Sequence, residues 1–547
     1  MTVPVIDLFA GPGGLGEGFS RSSSARFKIA VSIEKDPMAS QTLRLRAAHR
    51  ELQRMDPDDS TWQLWDETIE KTPWNELFGK LANAGNGLIR AACKHAEGEV
   101  WNFEMSPLNR GQVSSEIRQR LSPYLEDGGK LPDNLVLIGG PPCQAYSHVG
   151  RARNRGNTEY RPEEDHRHFL YLEYLHVISE FRPAVFVMEN VKGILSSKVS
   201  DRQIFYSIMS DLRRPGRSEA SDSGPEYVLV SLSHGATRDS PAPDPEDFIV
   251  EAERYGVPQA RHRVIICGIR RDVFDRIDKA PALARQSATS VGDVLADLPE
   301  LRPMISHRGN GMKWSEVFEL PMLKEAIYEL MSDPEDKVRI EVGSLMEKQS
   351  ARLRDRADPG TGADRKRHRF VSMGRLEKWF RDRVPEILSN HETKAHMPSD
   401  LLRYFFVAAY GDVAKASPRL SEFPRVLLPE HRNVDRENPG ATIFKDRFRV
   451  QLKNDPSMTV TSHMSKDGHA FIHYDPLQCR SLTVREAARL QTFPDSYVFL
   501  GSKTSQYTQV GNAVPPYLAK QIADTVGSIL QNAGMAGSAE PTQAPRT

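Results

Sequence analysis

Cys143, Glu189, Arg261 and Arg263 are side chains of chemically active types, each standing where a sheet would present it. Cys143 follows Gly139-Gly140-Pro141-Pro142, entered from the apolar run Leu135-Val136-Leu137-Ile138. An apolar, β-branched run that stops at Gly and Pro reads as a buried strand. The doubled proline fixes two φ angles and removes two backbone donors, so the strand cannot run on into a helix. The thiol is thereby expected on a stiff turn at the carboxyl end of a central strand, where open α/β sheets place their ligands and a nucleophile would sit. An isolated Pro-Cys would otherwise read as a small buried hydrophobe. Glu189 ends the next apolar run, residues 183–188, and sequential strands are usually neighbours, which sets its carboxylate beside Cys143. Arg261 and Arg263 lead into the strand at 264–268; alternation sends both to one face and His262 to the other. Such a pair offers fixed donors to a substrate carbonyl and a phosphate, although arginines at a strand edge are usually solvated.

A second group of residues points to a cofactor. Val3-Pro4-Val5-Ile6-Asp7-Leu8-Phe9 is a short strand that runs into Ala10-Gly11-Pro12-Gly13-Gly14-Leu15-Gly16, a turn expected to open a helix. Gly11, Gly13 and Gly16 match G-x-G-x-x-G, and Glu34, closing a second strand at 29–33, stands where an acid would hold a ribose. Two adenosine cofactors fit. A nicotinamide nucleotide brings a pyrophosphate for the helix N-terminus; S-adenosylmethionine brings an amino acid and a sulfonium. The first strand does not choose between them.

The elements that must position these groups are unevenly legible. Residues 45–130 are charged, carry Trp62, Trp65, Trp74 and Trp101, and read as largely helical: the rest of the second and third α/β units plus an insertion. Glu104 within them is a candidate acid for the cofactor's base, with a solvated glutamate as the plainer reading. The basic, glycine-bearing loop at 145–156 is suited to clasping phosphates, and residues 169–181 have helical apolar spacing. From 273 to 455 periodicity weakens and prolines recur, which reads as a separate domain; its cluster Arg365-Lys366-Arg367-His368-Arg369 is the best candidate for a nucleic-acid contact or, more blandly, a solvated charge run. Residues 459–463 and 470–473 read as strands. Thr483 with Glu486 forms a capping box, Pro515-Pro516 starts a last helix, and the small, polar tail from 533 reads as disordered.

Bulk properties bound the class. At 547 residues, two or three structural units are expected, and 73 basic against 73 acidic residues leave any basic surface local. Cys93, Cys143, Cys267 and Cys479 form no C-x-x-C pair, against a thiolate zinc site or disulfide framework and in favour of a reducing interior. Met1 leads within a few residues into an apolar strand, so no secretory signal is expected, and no apolar run is long enough to span a membrane. A soluble intracellular protein without a metal site is expected.

In order, Asp7-Leu8-Phe9-Ala10-Gly11, Pro141-Pro142-Cys143-Gln144, Glu189-Asn190-Val191, Gln259-x-Arg261-x-Arg263, Arg480-x-Leu482-Thr483-x-Arg485-Glu486 and Gly511-Asn512-Ala513-Val514 resemble the motifs of bacterial DNA (cytosine-5)-methyltransferases. The resemblance implies a Rossmann-like α/β sheet, helices on both faces, with a separate smaller target-recognition domain. It implies a catalytic domain at 1–272 that resumes at 456–532, target recognition at 273–455 and a tail at 533–547. It implies S-adenosylmethionine as methyl donor, with Phe9, Gly11, Pro12 and Gly14 around it, Glu34 at the ribose, and Pro142, Asn512 and Val514 completing the pocket. Cys143 would add to C6 of a flipped-out cytosine, Glu189, its pKa raised by burial, would serve N3, Arg263 would hold O2, and Arg261 would support the loop and a phosphate. Double-stranded DNA is the implied partner, with a cognate restriction endonuclease or phage-defence proteins beside it and a monomer in the bacterial cytoplasm. An RNA cytosine methyltransferase and a catalytically silent DNA-binding relative are the alternatives; an oxidoreductase has no use for Cys143 and Glu189 so arranged.

Overall fold

The computed structural model describes residues 1–142, 170–196, 198–199, 202–216, 224–306, 311–362, 376–383, 388–430, 434–435, 447–466 and 468–537. Cys143, the loop 145–156, the basic run 365–369 and the end of the tail lie outside the described residues. Packing divides the chain into two units, Met1–Ala288 with Ala513–Thr547, and Thr289–Asn512.

The first unit is built on one eight-stranded sheet. Its strands are β1 (Val3–Leu8), β2 (Phe27–Glu34), β3 (Val100–Asn102), β4 (Val136–Gly139), β5 (Val185–Val191), β6 (Tyr227–Ser231), β7 (Ile249–Glu251) and β8 (His262–Arg270). Across the sheet they run β3-β2-β1-β4-β5-β8, and the far edge of β8 pairs with β7 along its first residues and β6 along its last. β1 to β5 are parallel, and β8 is antiparallel to β5. Chain order reverses between β1 and β4, which is where a doubly wound sheet opens its ligand crevice.

Alternation along the strands explains the layers. Val136 and Ile138 face one core and Leu137 the other; Val185 and Val187 oppose Phe186 and Met188; Ile265, Cys267 and Ile269 oppose Val264 and Ile266. The helices Gly14–Ser20 and Pro516–Asn532 cover the first face through Phe19, Leu518, Ile522 and Val526. Arg110–Leu121 and Leu170–Phe181 cover the second through Ile117, Tyr174 and Ile178. Strands buried on both faces are written as unbroken apolar runs, which is why they were legible. The stretch 45–130 is largely helical as expected, with Asp59–Lys71, Trp74–Ala82 and Gly87–Glu99 ahead of β3. The tail stays packed at 533–537, against the expectation of disorder from 533: Met535 is buried, and its carbonyl accepts from Asn134 Nδ2 at 3.3 Å. One apolar side chain supplies the anchor that the small residues around it lack.

The second unit is mainly helical, with Pro321–Met331, Lys337–Asp355 and Pro398–Ala414 around a core that includes Leu330, Met346, Phe405 and Phe406. Residues 459–463 and 470–473 do not form the expected strands: Ser462–Ser465 is a 3₁₀ turn, and Ile472 makes isolated bridges to Val450 and Ser481. Val460, Phe471 and Ile472 are apolar there because the loop is buried, and that pattern imitates a strand. The capping box forms, with Glu486 N donating to Thr483 Oγ1 at 3.2 Å and Thr483 N to Glu486 Oε2 at 2.7 Å.

Three arginines of this unit are wholly buried. Arg480 donates through both Nη atoms to Glu486, at 2.7 Å each; Arg485 donates to the carbonyls of Ser389, Pro494 and Tyr497; Arg489 joins Asp495, at 2.7 and 2.9 Å, and Asp297. Arg480-x-Leu482-Thr483-x-Arg485-Glu486 is therefore scaffold. Arg489→Ala leaves Asp297 to Arg381, at 3.2 Å, and Asp495 to Arg485, at 4.0 Å, and is expected to cost about 3–5 kcal/mol in a denaturant melt.

The same interior makes the unit acid-labile. Burial, as the largest cause, pulls the imidazole pKa of His391 and His473 down to about 4 and that of His396 to about 3. A histidine depressed in the folded state contributes stability that is complete above its unfolded pKa and lost as pH falls toward the folded value. Glu486, held below the ordinary carboxylate range by Arg480 against its own burial, adds a loss at still lower pH. The melting temperature of this unit is expected to drop steadily below about pH 6.5, each histidine costing up to about 2 kcal/mol by pH 5. A flat profile between pH 7.5 and 5 would count against this.

Candidate active site

β1 ends at Leu8, and residues 9–13 turn into the helix Gly14–Ser20. Gly11 and Gly13 take φ of +57° and +96°, backbone that glycine enters freely. Phe9 holds φ +55° as a non-glycine residue, strain of about 1–3 kcal/mol of the kind that persists where surroundings enforce it. β2 brings Glu34 up beside this turn: Gly11 N donates to its Oε2 and Asp36 N to its Oε1, each at 2.8 Å. Burial pushes the carboxyl's pKa up and those two donors pull it back. A carboxylate accepts about four hydrogen bonds, so two directions stay open on an acceptor already fixed in place.

Gly14 and Val514 meet at the helix start: a Cβ on Gly14 would lie 2.1 Å from the Val514 carbonyl oxygen. Gly14→Ala is expected to push the chain before Pro515 away from the turn. It should lower the melting temperature by an amount equivalent to about 1–3 kcal/mol and weaken cofactor binding in the same protein, read by calorimetry.

The next two strands supply the second half of the site. Leu8 of β1 pairs with Gly139 of β4, so the Pro141-Pro142 turn emerges beside the glycine-rich one. β5 pairs with β4 and carries Glu189 and Asn190 at its carboxyl end. Asn190 is buried, and its Nδ2 donates to the Pro141 carbonyl at 3.1 Å, tying the proline turn to β5. Gly140 makes room for Glu189: a Cβ there would sit 3.1 Å from Glu189 Oε2. On the other side Arg263 Nε lies 3.0 Å from Glu189 Oε1, an ion pair not aligned as a hydrogen bond, while Arg263 Nη1 donates to the His262 carbonyl at 2.9 Å. Burial lowers the Arg263 pKa and Glu189 opposes that effect.

Phe9, Gly11, Pro12, Gly14, Glu34 and Val514 thus gather at one turn, and Pro142, Glu189 and Arg263 follow along adjoining strand ends. Arg261 is fully buried, its guanidinium pKa lowered chiefly by that burial and then by Arg263, so it does not reach a solvent-side phosphate as expected from the strand-edge reading. His262 turns away to Glu253 Oε1 at 2.7 Å. Glu104 is exposed and pairs with Lys35 at 3.2 Å. Asn512 is an exposed residue closing the helix Lys503–Asn512 in the second unit. Sequence reasoning passed over two buried polar groups: Asn190, whose amide holds the proline turn, and Asp7, a charged type inside the apolar strand β1 with no hydrogen-bond partner for either oxygen. The second carried a signal, since an acid in a strand buried on both faces needs a reason.

Glu34, fixed beside the glycine-rich turn, is an acceptor suited to the ribose hydroxyls of either adenosine cofactor, so this turn by itself does not choose between them. Among the described residues no cluster could hold a metal ion, and no helix is long and apolar enough to cross a membrane.

The profile described as "C-5 cytosine-specific DNA methylase" matches residues 109–216 and 246–528. The type II methyltransferase M.Bpa9945I of Bacillus paralicheniformis is 29% identical over 542 residues, covering 96% of this chain and 99% of its own. The type II methyltransferase M.AgeI of Thalassovita gelatinovora is 29% identical over 420 residues, 73% of this chain and 85% of its own. A solved E. coli prophage protein described as a "putative DNA modification methyltransferase" aligns over 97% of this chain and 99% of its own, at TM-score 0.48 and 18% identity.

Proposed function

This chain belongs to the C-5 cytosine-specific DNA methylase family, and from that premise we propose how its own residues carry out methylation of cytosine C5 in DNA. S-adenosylmethionine supplies the methyl group as an electrophile on its sulfonium. Phe9, Gly11, Pro12 and Gly14 enclose it, Glu34 accepts from its ribose hydroxyls, and Pro142 and Val514 close the pocket.

Cytosine C5 is too weak a nucleophile to react unaided, and the residues remedy this by covalent catalysis. The Cys143 thiolate adds to C6, and electron density moves onto C5 and N3. Glu189 gives a proton to N3 as charge builds there, and Arg263 donates to the O2 carbonyl. Once C5 carries the methyl group, its proton leaves to water, the bond to Cys143 breaks and the ring is restored. Arg261, buried behind Arg263, supports the strand that presents it. None of these atoms can be reached within a duplex, so the target nucleotide is flipped out at a cost of a few kcal/mol. Residues 273–455 read the DNA sequence, while 1–272 and 456–532 serve the chemistry. The enzyme acts as a monomer in the bacterial cytoplasm, in restriction-modification or phage defence, where a cognate endonuclease would be its counterpart.

The observation that supports this reading most directly is Glu189 held between Gly140 and Arg263 at the mouth of the proline turn. Incubation with methyl-labelled S-adenosylmethionine and mixed-sequence duplex DNA, followed by nucleoside analysis, is expected to yield 5-methylcytosine, and bisulfite sequencing of DNA from expressing cells should reveal its sequence context. Label entering transfer RNA but not duplex DNA would overturn the substrate, and no transfer at all would leave a silent binding protein.

A further inference from the structure

Asp7 is 1% exposed on the central strand of the sheet, and neither carboxyl oxygen has a hydrogen-bond partner. An orphaned buried carboxyl costs about 1–3 kcal/mol when neutral and much more when ionised, so the free protein carries an acid in its least favourable setting. Its place is specific. Oδ2 would lie 3.0 Å from a Cβ on Gly16, so the side chain lies under the first turn of the helix that the glycine-rich loop opens.

The charged and titratable groups around it come from every packed element. Glu34 closes β2, Glu99 ends the helix Gly87–Glu99, and Arg50 comes from Pro37–Arg54. Tyr174, on Leu170–Phe181 across the sheet, couples to it electrostatically. Glu17, on the same helix as Gly16, is occupied by a bidentate pair with Arg46, and Arg50 pairs closely with Glu99. Arg50, the arginine that acts on Asp7, is thus shared with Glu99 and, at 3.8 Å, with Glu17, and makes no hydrogen bond to Asp7. Burial, Glu99 and Glu34 all raise its pKa, with Arg50 alone opposing.

We propose that Asp7 answers the positive charge of the cofactor: uncharged in the free protein, it releases its proton when a cationic ligand settles on the glycine-rich turn, so that cofactor binding is linked to loss of one proton. This rests on S-adenosylmethionine being the ligand of that turn. An opposite charge within about 4–6 Å lowers a carboxyl pKa by about 1–3 units, and the buried Asp7 carboxyl lies under the helix turn that follows the glycine-rich loop. The proton passes to solvent, and Asp7 becomes the counter-charge of the bound cation.

The test is titration calorimetry of the full chain with S-adenosylmethionine near neutral pH in buffers of different ionisation enthalpy. The wild type is expected to show an observed binding enthalpy that becomes more negative as buffer ionisation enthalpy rises, with a slope near minus one for one released proton, and affinity that tightens by about tenfold per pH unit while that linkage holds. Asp7→Asn, isosteric and unable to titrate, should bind with a slope near zero. A slope near zero in the wild type, or an unchanged slope in Asp7→Asn, overturns the proposal. Should the variant fold poorly, difference infrared spectra of the wild type decide: a neutral-carboxyl band lost on binding supports the assignment, and a band that persists refutes it. Absence of any binding would instead refute the cofactor reading on which this one stands.

Discussion

Cys143→Ala is expected to abolish methyl transfer, by about 10⁴-fold or more, while leaving S-adenosylmethionine affinity nearly intact. The sulfur does two things that no neighbour can replace. As a thiolate accessible near neutral pH it adds to C6, and as a leaving group it departs once C5 has lost its proton. Serine, with a hydroxyl far too weak an acid to supply an alkoxide, should fail as completely as alanine. Cofactor affinity is spared because most residues assigned to it sit on the glycine-rich turn, at Glu34 and at Val514, and Pro142, the one on the proline turn, is unchanged in the variant. A direct readout uses duplex DNA carrying 5-fluorocytosine. Fluorine cannot leave C5 as a proton does, so the wild type should remain bonded to the base in a denaturant-stable adduct, and Cys143→Ala should form none. Turnover by the alanine variant comparable with the wild type would end the covalent route.

Glu189→Gln should lower the maximal rate by about 10²–10⁴-fold, the usual contribution of a positioned proton donor. Glutamine keeps the volume that Gly140 accommodates and can still meet Arg263 Nε, which lies 3.0 Å from the present carboxyl oxygen. What it removes is the exchangeable proton for N3 and the negative charge opposite Arg263. The KM for S-adenosylmethionine should change little, which separates a lost proton carrier from a collapsed site. A rate within a few-fold of wild type would show that Glu189 only orients Arg263.

Much of this architecture was legible before any coordinates. The runs at 135–138, 185–188 and 264–268 were readable as strands because burial on both faces demands apolar residues at every position. The Gly11 and Gly13 turn was readable because positive φ favours one residue type. The capping box at Thr483 and the helix start at Pro516 are equally local in origin. Local pattern misled where burial had another cause. The alternation at 459–463 belonged to a covered loop, and Met535 anchored a stretch whose composition read as disordered.

Arg261 and Arg263 show the limit most clearly. Two residues apart, they looked equivalent, yet one is sealed within the unit and the other pairs with Glu189. Sequence by itself determined the residue types, the turn conformations and the strand ends, because backbone preference and hydrophobic period act over a few residues. Only the tertiary structure decided that Gly14 must lack a side chain for Val514, that Asn190 ties down the proline turn, and that Arg50, the arginine acting on Asp7, is already paired with Glu99. Those outcomes depend on strand order and helix docking, which bring distant residues within a few ångströms, and no local preference encodes that distance.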